Sequence, residues 1–523
     1  MRLCDYLDKG ASLGRDAPCF TTNGESLSYG QVQELSRRMA AALQASGVRP
    51  GDAVAILSAN DPTAFAAVFG ISRAGAVWCP INPRSEAGEN RELLERFDCK
   101  MLIYQPQFAP MVARILPDLP QVATVVRLAG MDDGGLPDGG APGTPFDEWL
   151  AAGTAGTGEA GAGEGWPVDD LAMIVGTGGT TGKPKGVMLT TRNLETMTAI
   201  VLMGYPFEGR PVYLALAPLT HAAGVLCFPI LASGGEIVIM PRPDVAEFVA
   251  LIERHEVTHT FLPPTLIYMM LVLPDLDTWD LSSLQCFWYG AAPMSVARLE
   301  EALHRIGPVM AQLFGQTEAP MMISTMSPAE HFGPDGQVAV GRLASAGHPA
   351  PLVTVAVMDG SGRLLGAGER GEIVVRSSLV MAGYYKNPEA TEEANRFGWH
   401  HTGDIGYLDG DGWLFIVDRA KDMIITGGFN VYSAEVEQSI MRYPGVQDCA
   451  VIGLPDAKWG EQVTAVVQAD PAVAVDVAAL RTFVKSELGS VKTPKLVEVW
   501  TDLPRSKVGK VLKAEIKKDM LGR

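Results

Sequence analysis

Paired cysteines are missing from this chain. Its seven cysteines (Cys4, Cys19, Cys79, Cys99, Cys227, Cys286, Cys449) are scattered, odd in number and without a C-x-x-C pair. That argues against a disulfide framework and a thiolate metal site, and suits a reducing cytoplasm. Basic charge is also short: 42 Lys and Arg against 60 Asp and Glu leave a formal net charge of -18. A surface of that sign makes nucleic acid a poor partner, although a local basic cluster can still hold an anionic ligand. No apolar run follows Arg2, so no signal peptide is visible and a cytoplasmic location is expected. The most apolar stretches, such as Thr63 to Pro80, carry charges or glycines. They read as buried helices and strands rather than a bilayer span, which leaves peripheral membrane contact open.

What is present is an ordinary globular composition, with 47% hydrophobic and 20% charged residues over 523 positions, enough for more than one domain. One stretch stands out. Between Val175 and Val187 runs G-T-G-G-T-T-G-K-P-K-G, with Gly176, Gly178, Gly179, Gly182, Gly186, Thr177, Thr180, Thr181, Lys183 and Lys185. Behind the apolar run Leu171 to Val175, it reads as a strand feeding a loop whose backbone N–H groups and hydroxyls wrap a phosphate. It is not a Walker A box, because Pro184 follows Lys183 where Ser or Thr is required. Nor is it a dinucleotide fingerprint, since no clean βαβ unit surrounds it.

The rest of the chain alternates between the two periods. Leu27 and Tyr29 suggest a short strand, Gln31 to Ala45 a helix, Asp52 to Ser58 a strand, Pro62 to Ala74 a helix and Ala76 to Pro80 a strand. This predicts an α/β fold with a mainly parallel sheet. Residues 129 to 168 are rich in Gly, Ala, Pro and Asp and read as a surface excursion. Beyond the loop, Arg192 to Met203 is expected to be helical, and Pro211 to Ala217 a strand ending in P-L-T-H-A-A-G with His221. Leu284 to Tyr289 is a strand ending in Y-G-A-A-P-M, and Pro308 to Phe314 delivers G-Q-T-E. Thr317 and Glu318 there offer oxygen ligands that suit Mg²⁺ beside a phosphate. Short strands between Gly341 and Arg376 predict a small, largely antiparallel unit. A second domain of about a hundred residues then begins near Lys421.

One motif invites a different chemistry. His255, Glu256 and His259 spell H-E-x-x-H, a zinc protease signature when both histidines share a helix. Here the helix Val245 to Arg254 gives way to V-T-H-T-F, which reads as a strand. On a strand, residues four apart are roughly 13 Å apart, too far for one zinc.

Taken in order, the motifs resemble the adenylate-forming superfamily of acyl-CoA synthetases, beetle luciferases and peptide-synthetase adenylation domains. They are Thr177 to Gly186, Pro218 to Gly224, Y-G-A-A-P (Tyr289 to Pro293), F-G-Q-T-E (Phe314 to Glu318), T-G-D (Thr402 to Asp404), D-R-A-K-D (Asp418 to Asp422), G-G-F-N-V (Gly427 to Val431) and P-R-S-K-V-G-K (Pro504 to Lys510). The resemblance covers nearly the whole chain. It implies a large N-terminal domain of mixed and parallel sheets with helices and a small β-rich subdomain, residues 1–420, and a mobile α+β C-terminal domain, residues 421–523. The implied reaction joins a carboxylic acid to ATP as acyl-adenylate, then to coenzyme A, with Mg²⁺ as cofactor.

By the same resemblance, Thr177, Gly179, Thr180, Thr181, Gly182 and Lys185 hold the β- and γ-phosphates. Gly290, Ala291, Ala292 and Pro293, with Phe314 and Gly315, line the adenine and acyl sites, Tyr289 packing on adenine. Thr317 and Glu318 contact phosphate and Mg²⁺, Asp404 the ribose hydroxyls, with Arg419 nearby. Lys421 is the hinge, Lys510 bridges carboxylate and phosphate, His221 lies near the acid and thiol tunnel, and Gly427 and Gly428 face the pantetheine passage. Gly178 departs from the family's usual serine and Gly176 from a residue often aromatic, so altered ATP positioning is expected. Ala291, Ala292, Met294, Met321 and Met322 suit a carbon-rich acid, fatty or bulky aryl, unless the methionines are core packing. Trp288 precedes this segment, its orientation open. A carrier-protein thiol in place of CoA, and a catalytically lapsed nucleotide-binding protein, are the alternatives. The expected state is a monomer or homodimer.

Overall fold

The structure is a computed structural model describing residues 1–129, 141–154, 170–177, 184–219, 222–470, 473–505 and 511–522. Four sheets carry it. The first has nine strands. Its middle, Met310–Gln316, Cys286–Gly290, His259–Leu262, Val212–Ala215, Glu236–Ile239 and Pro18–Thr22, is parallel throughout. Antiparallel strands finish both edges: Ala319–Met326 and His348–Pro349 on one side and Glu25–Ser28 on the other. The interior strand Cys286–Gly290 is buried at all five positions. Such a strand has no polar face, which is why its sequence C-F-W-Y-G is a continuous apolar run.

The second sheet has eight strands. Leu171–Thr177, Val77–Ile81, Ala53–Leu57, Met101–Tyr104 and Thr124–Arg127 run parallel, ending on Thr144–Pro145. At the other edge Lys185–Thr190 folds back antiparallel on Leu171–Thr177, and Gly383–Tyr384 adds to it. The phosphate-loop segment therefore connects two paired strands, with Thr177 opposite Lys185. The returning strand is not among the elements expected from the sequence.

Between the two sheets lies the largest apolar core. Phe20, Phe65 and Phe69 pack there with Trp78, Trp288 and the helix Ala222–Ala232. That helix is apolar all round, as a helix enclosed by two sheets must be. Most predicted elements hold to within two residues or so, with the helix Val245–Arg254 as expected. Tyr29 differs. It opens the helix Tyr29–Ala45, because Ser28 caps it with a side chain accepting from the Gln31 N–H, and the strand stops at Ser28.

The third sheet, Thr354–Met358, Gly371–Arg376, His400–Leu408 and Leu414–Arg419, is antiparallel throughout, as predicted. The fourth belongs to the C-terminal unit. Its longest pair is Val446–Asp456 with Gly460–Ala469; Ile424–Thr426, Phe429–Val431 and Leu496–Trp500 complete it. The helices Ser433–Ile440, Val477–Lys492 and Lys513–Leu521 pack around it over its own apolar clusters. The architecture is thus α/β, with a large N-terminal assembly and a smaller C-terminal one.

Candidate active site

Open α/β folds bind ligands at the carboxyl ends of parallel strands, and Thr177, Gly290 and Gly315 lie at such ends, of Leu171–Thr177, Cys286–Gly290 and Met310–Gln316. Cys286–Gly290 ends in a glycine for steric reasons: a Cβ on Gly290 would stand 2.3 Å from the Leu313 carbonyl oxygen of the next strand. Ala291 follows with φ +65° and is exposed, so the chain turns sharply and presents Ala291 to Pro293 at the surface. On Met310–Gln316, a Cβ on Gly315 would lie within 2.6 Å of Met321 backbone atoms. The hairpin to Ala319–Met326 closes only because that side chain is absent. Its turn holds Thr317 and Glu318, both half-buried, with Phe314 packed at the edge of the core.

Glu318 sits where the two large sheets meet. Its carboxylate accepts a hydrogen bond from the Tyr384 hydroxyl at 2.8 Å, and its carbonyl accepts from the Met381 N–H at 2.8 Å. The Lys185 ammonium lies 4.7 Å from the centre of the Tyr384 ring. Thr177 donates to the Lys185 carbonyl at 3.3 Å, closing the mouth of the loop. Gly178, Gly179, Thr180, Thr181, Gly182 and Lys183 of that loop lie outside the described residues, as do His221 and Lys510.

Asp404 enters from the third sheet. It is 3% exposed, and Arg419 on the neighbouring strand places Nε 2.8 Å from its Oδ1. Gln316 donates to the Thr402 carbonyl at 3.4 Å, which ties the T-G-D strand to the G-Q-T-E turn. A carboxylate held by a guanidinium, on a strand tied to the turn that carries Glu318, which Tyr384 links in turn to Lys185, is an arrangement for a polyhydroxylated, polyanionic ligand. Thr317 and Glu318 offer only oxygen donors, which fits Mg²⁺ rather than a soft metal.

Tyr289 and Trp288 are resolved by strand alternation. The Tyr289 ring is 1% exposed; its hydroxyl lies 3.0 Å from His331 Nε2, while His331 Nδ1 donates to the Ser327 carbonyl at 2.9 Å. That ring is committed to the core, so the strand end offers a ligand Gly290 to Pro293 instead. Trp288 lies on the same face as Gly290, one step deeper. It is fully buried, against Tyr205, Tyr213 and His259. Met294 and Met322 are core residues, and Met321 alone is half-buried, with φ +62°.

Lys421 is exposed after the strand Leu414–Arg419. Gly427 and Gly428, with φ +58° and +82°, form the turn between Ile424–Thr426 and Phe429–Val431, where a Cβ on Gly427 would meet the Trp459 ring at 2.9 Å. Among the described residues, no hydrogen bond or ion pair joins either glycine to Thr177, Glu318 or Asp404. The C-terminal unit does touch the site's edge: Gln438 donates to the Met294 carbonyl at 3.3 Å.

The zinc signature dissolves in the structure. His255 ends one helix, Glu256 has φ +47°, and His259 opens a strand. Burial pushes the His259 pKa down to about 4, and Thr258 Oγ1 lies 2.7 Å from its Nδ1. Among the described residues the cluster closest to a metal set is Cys4, Asp5 and Asp8. Arg2 and Arg73 already neutralise the two carboxylates, and burial pushes the Cys4 thiol up to about 11. No described helix is long and apolar enough to cross a membrane.

The AMP-binding enzyme family matches residues 7–385, and its AMP-binding enzyme C-terminal domain matches residues 435–510. The chain belongs to this family. It is 36% identical over 504 residues to a medium/long-chain-fatty-acid–CoA ligase, FadD8, of Mycobacterium tuberculosis, covering 95% of this chain and 86% of that one. It is 35% identical to a feruloyl-CoA synthase of Amycolatopsis, over 97% of both chains. Among solved structures, the amide bond synthetase McbA of Marinactinospora thermotolerans superposes with a TM-score of 0.85 at 30% identity, covering 99% of both chains.

Tyr384 is the residue of this site that the sequence reading missed. It lies 66 positions from Glu318 and far from Lys185 in sequence. The run M-A-G-Y-Y-K-N-P-E-A-T around it carries the only available hint, a glycine followed by two tyrosines just before a proline-started helix.

Proposed function

We propose that the protein is an AMP-forming carboxylic acid–CoA ligase. In the first half-reaction a carboxylate oxygen attacks the α-phosphorus of ATP, forming acyl-adenylate and releasing pyrophosphate. In the second, the sulfur of CoA attacks the acyl carbon and AMP leaves. A carboxylate oxygen is a poor leaving group and AMP a good one, which is why the acid is activated first. The observation that carries this reading is that Tyr384 holds Glu318 and Lys185 together, while the Gln316–Thr402 hydrogen bond ties their turn to the strand of the Asp404–Arg419 pair.

Lys185 and Thr177 receive the terminal phosphates, and Asp404 with Arg419 the ribose. Thr317 and Glu318 would hold Mg²⁺, which would supply positive charge to neutralise the phosphates. Lys510 approaches the α-phosphate from the C-terminal domain, residues 421–523, which turns about Lys421 between the half-reactions. His221, Gly427 and Gly428 serve the thiol step. The acid is a carbon-rich one, a fatty or bulky aryl acid. Supporting this, Gly290 and Gly315 place no side chain at the strand ends, and the two relatives above are named for such acids.

Exchange of labelled pyrophosphate into ATP, driven by a panel of carboxylic acids without CoA, tests the first step. Acid-dependent exchange is expected. ATP binding with no exchange across fatty, aryl and short acids would overturn it in favour of a nucleotide-binding protein without catalysis.

A further inference from the structure

The segment Met381 to Lys386 works as a strap between the two large sheets. Ala382 donates to the Met188 carbonyl at 3.0 Å and Tyr385 to the Gly186 carbonyl at 2.7 Å, so the strap is zipped to the strand that closes the phosphate loop. Met381 donates to the Glu318 carbonyl from the other sheet. The adjacent tyrosines diverge. Tyr385 donates to Asp98 Oδ2 at 2.7 Å at the foot of the eight-stranded sheet, whereas Tyr384 donates to Glu318 Oε1 at 2.8 Å and carries Lys185 over its ring.

Nothing about Tyr384 is loose. Its N–H donates to Thr391 Oγ1 at 2.9 Å, and Gly383 before it sits at φ +141° with Thr391 crowding the place of a Cβ at 2.7 Å. The residue is 9% exposed.

We propose that Tyr384 is a positioning residue for adenylation: its hydroxyl fixes the Glu318 carboxylate in the orientation that ligates Mg²⁺, and its ring holds the Lys185 ammonium beside that carboxylate until ATP phosphates take it up. This rests on the reading of Glu318 as metal ligand and Lys185 as phosphate cation. The chemistry suits both tasks. A ligating carboxylate needs a partner that fixes its rotamer. A cation on an aromatic face is held weakly enough to be exchanged for phosphate charge. One side chain thus sets the metal ligand and the phosphate cation in register, although they come from different sheets.

The test uses calorimetric binding of α,β-methylene-ATP to full-length protein, in EDTA and across a Mg²⁺ titration, for wild type, Y384F, Y384L and E318A. Tyr384→Phe keeps the ring and loses the hydroxyl. It is expected to raise the Mg²⁺ concentration for half-maximal enhancement of binding about tenfold, with metal-free affinity unchanged. Tyr384→Leu is expected to show that shift and, in addition, to weaken metal-free binding about threefold. A Y384F titration that superposes on wild type while E318A is impaired overturns the role of Tyr384 alone. An E318A titration that superposes on wild type overturns the underlying reading of Glu318. If Y384F only lowers the thermal midpoint and weakens metal-free and Mg²⁺-dependent binding equally, the role is structural and the proposal fails.

Discussion

The Asp418 carboxylate accepts hydrogen bonds from both the backbone N–H and the hydroxyl of Ser433. Asp418 lies one residue before the end of the last strand of the N-terminal assembly's antiparallel sheet, and Ser433 opens the first helix of the C-terminal unit. Lys513 extends the contact, donating to Ser433 Oγ at 2.6 Å and pairing with Glu437 at 2.7 Å. Burial raises the pKa of both carboxyls; it opposes charge on Lys513, whose pKa Glu437 and Asp418 nevertheless raise.

Removing that anchor has a defined consequence. Asp418→Ala leaves the Ser433 N–H and hydroxyl without their acceptor, a loss of about 2 to 3 kcal/mol for hydrogen bonds to a charged group. Thermal unfolding should show it, and limited proteolysis should cut faster in the connector after Arg419. Unchanged melting and proteolysis would mean that the contact adds nothing to the docking of the C-terminal unit.

Acid sensitivity should come from buried histidines. Burial pushes His259, His331 and His400 each to about 4. The unfolded chain, with histidines near 6.5, binds these protons first as pH falls. Stability is therefore full above about 6.5 and lost between about 6.5 and 4, by at most about 3 kcal/mol per histidine. Asp418 and Glu437, with raised pKa values, act in the opposite sense, so a difference measurement is needed. Neither ring nitrogen of His400 meets a hydrogen-bond partner among the described residues. His400→Phe is expected to raise the melting temperature at neutral pH and to flatten its fall towards pH 5. An equal fall in both proteins would contradict this.

The glycines at the strand ends differ from glycines elsewhere. A methyl group at Gly315 meets Met321 backbone, whereas one at Gly341 meets nothing within 4 Å. Gly315→Ala should displace the Thr317–Glu318 turn and cut pyrophosphate exchange about a hundredfold, at a cost of about 1 to 3 kcal/mol in stability. Gly341→Ala should change neither. Exchange rates for the two variants decide it, and equal activity would sink the steric account of the turn.

How much of this is legible in the sequence follows from where the information lies. Leu171–Thr177 and Cys286–Gly290 announce themselves through local apolar runs ending in threonine or glycine, so their strand-end residues are found where the structure places them; the polar T-G-D segment of His400–Leu408 gives no such local signal. The zinc signature fails on local β-propensity, and His259 does begin a strand. Pairings across sequence are not readable. Lys185–Thr190 looks like part of a loop until its partner strand is known, and Tyr384 acquires meaning only through Glu318 and Lys185. Side-chain direction is equally hidden. Trp288, Tyr289, Met294 and Met322 are each compatible with facing a ligand, and the structure sends all four into the core.

Asp404 offers a test on the nucleotide itself. If its carboxylate receives the ribose hydroxyls, wild type binds ATP more tightly than 2′,3′-dideoxy-ATP, and Asp404→Ala weakens ATP about tenfold or more while erasing that preference. A D404A protein that still prefers the ribose hydroxyls would remove Asp404 from the ribose site. Calorimetry with both nucleotides reads the difference.

Incubating the enzyme with Mg-ATP, CoA and a panel of fatty and aryl acids, and identifying the products by mass, reads CoA ligation itself. Acyl-CoA and AMP are expected in equal amounts with at least one acid, and acyl-AMP when CoA is left out. Acyl-AMP that accumulates with CoA present would contradict CoA as acceptor and point to a carrier-protein thiol.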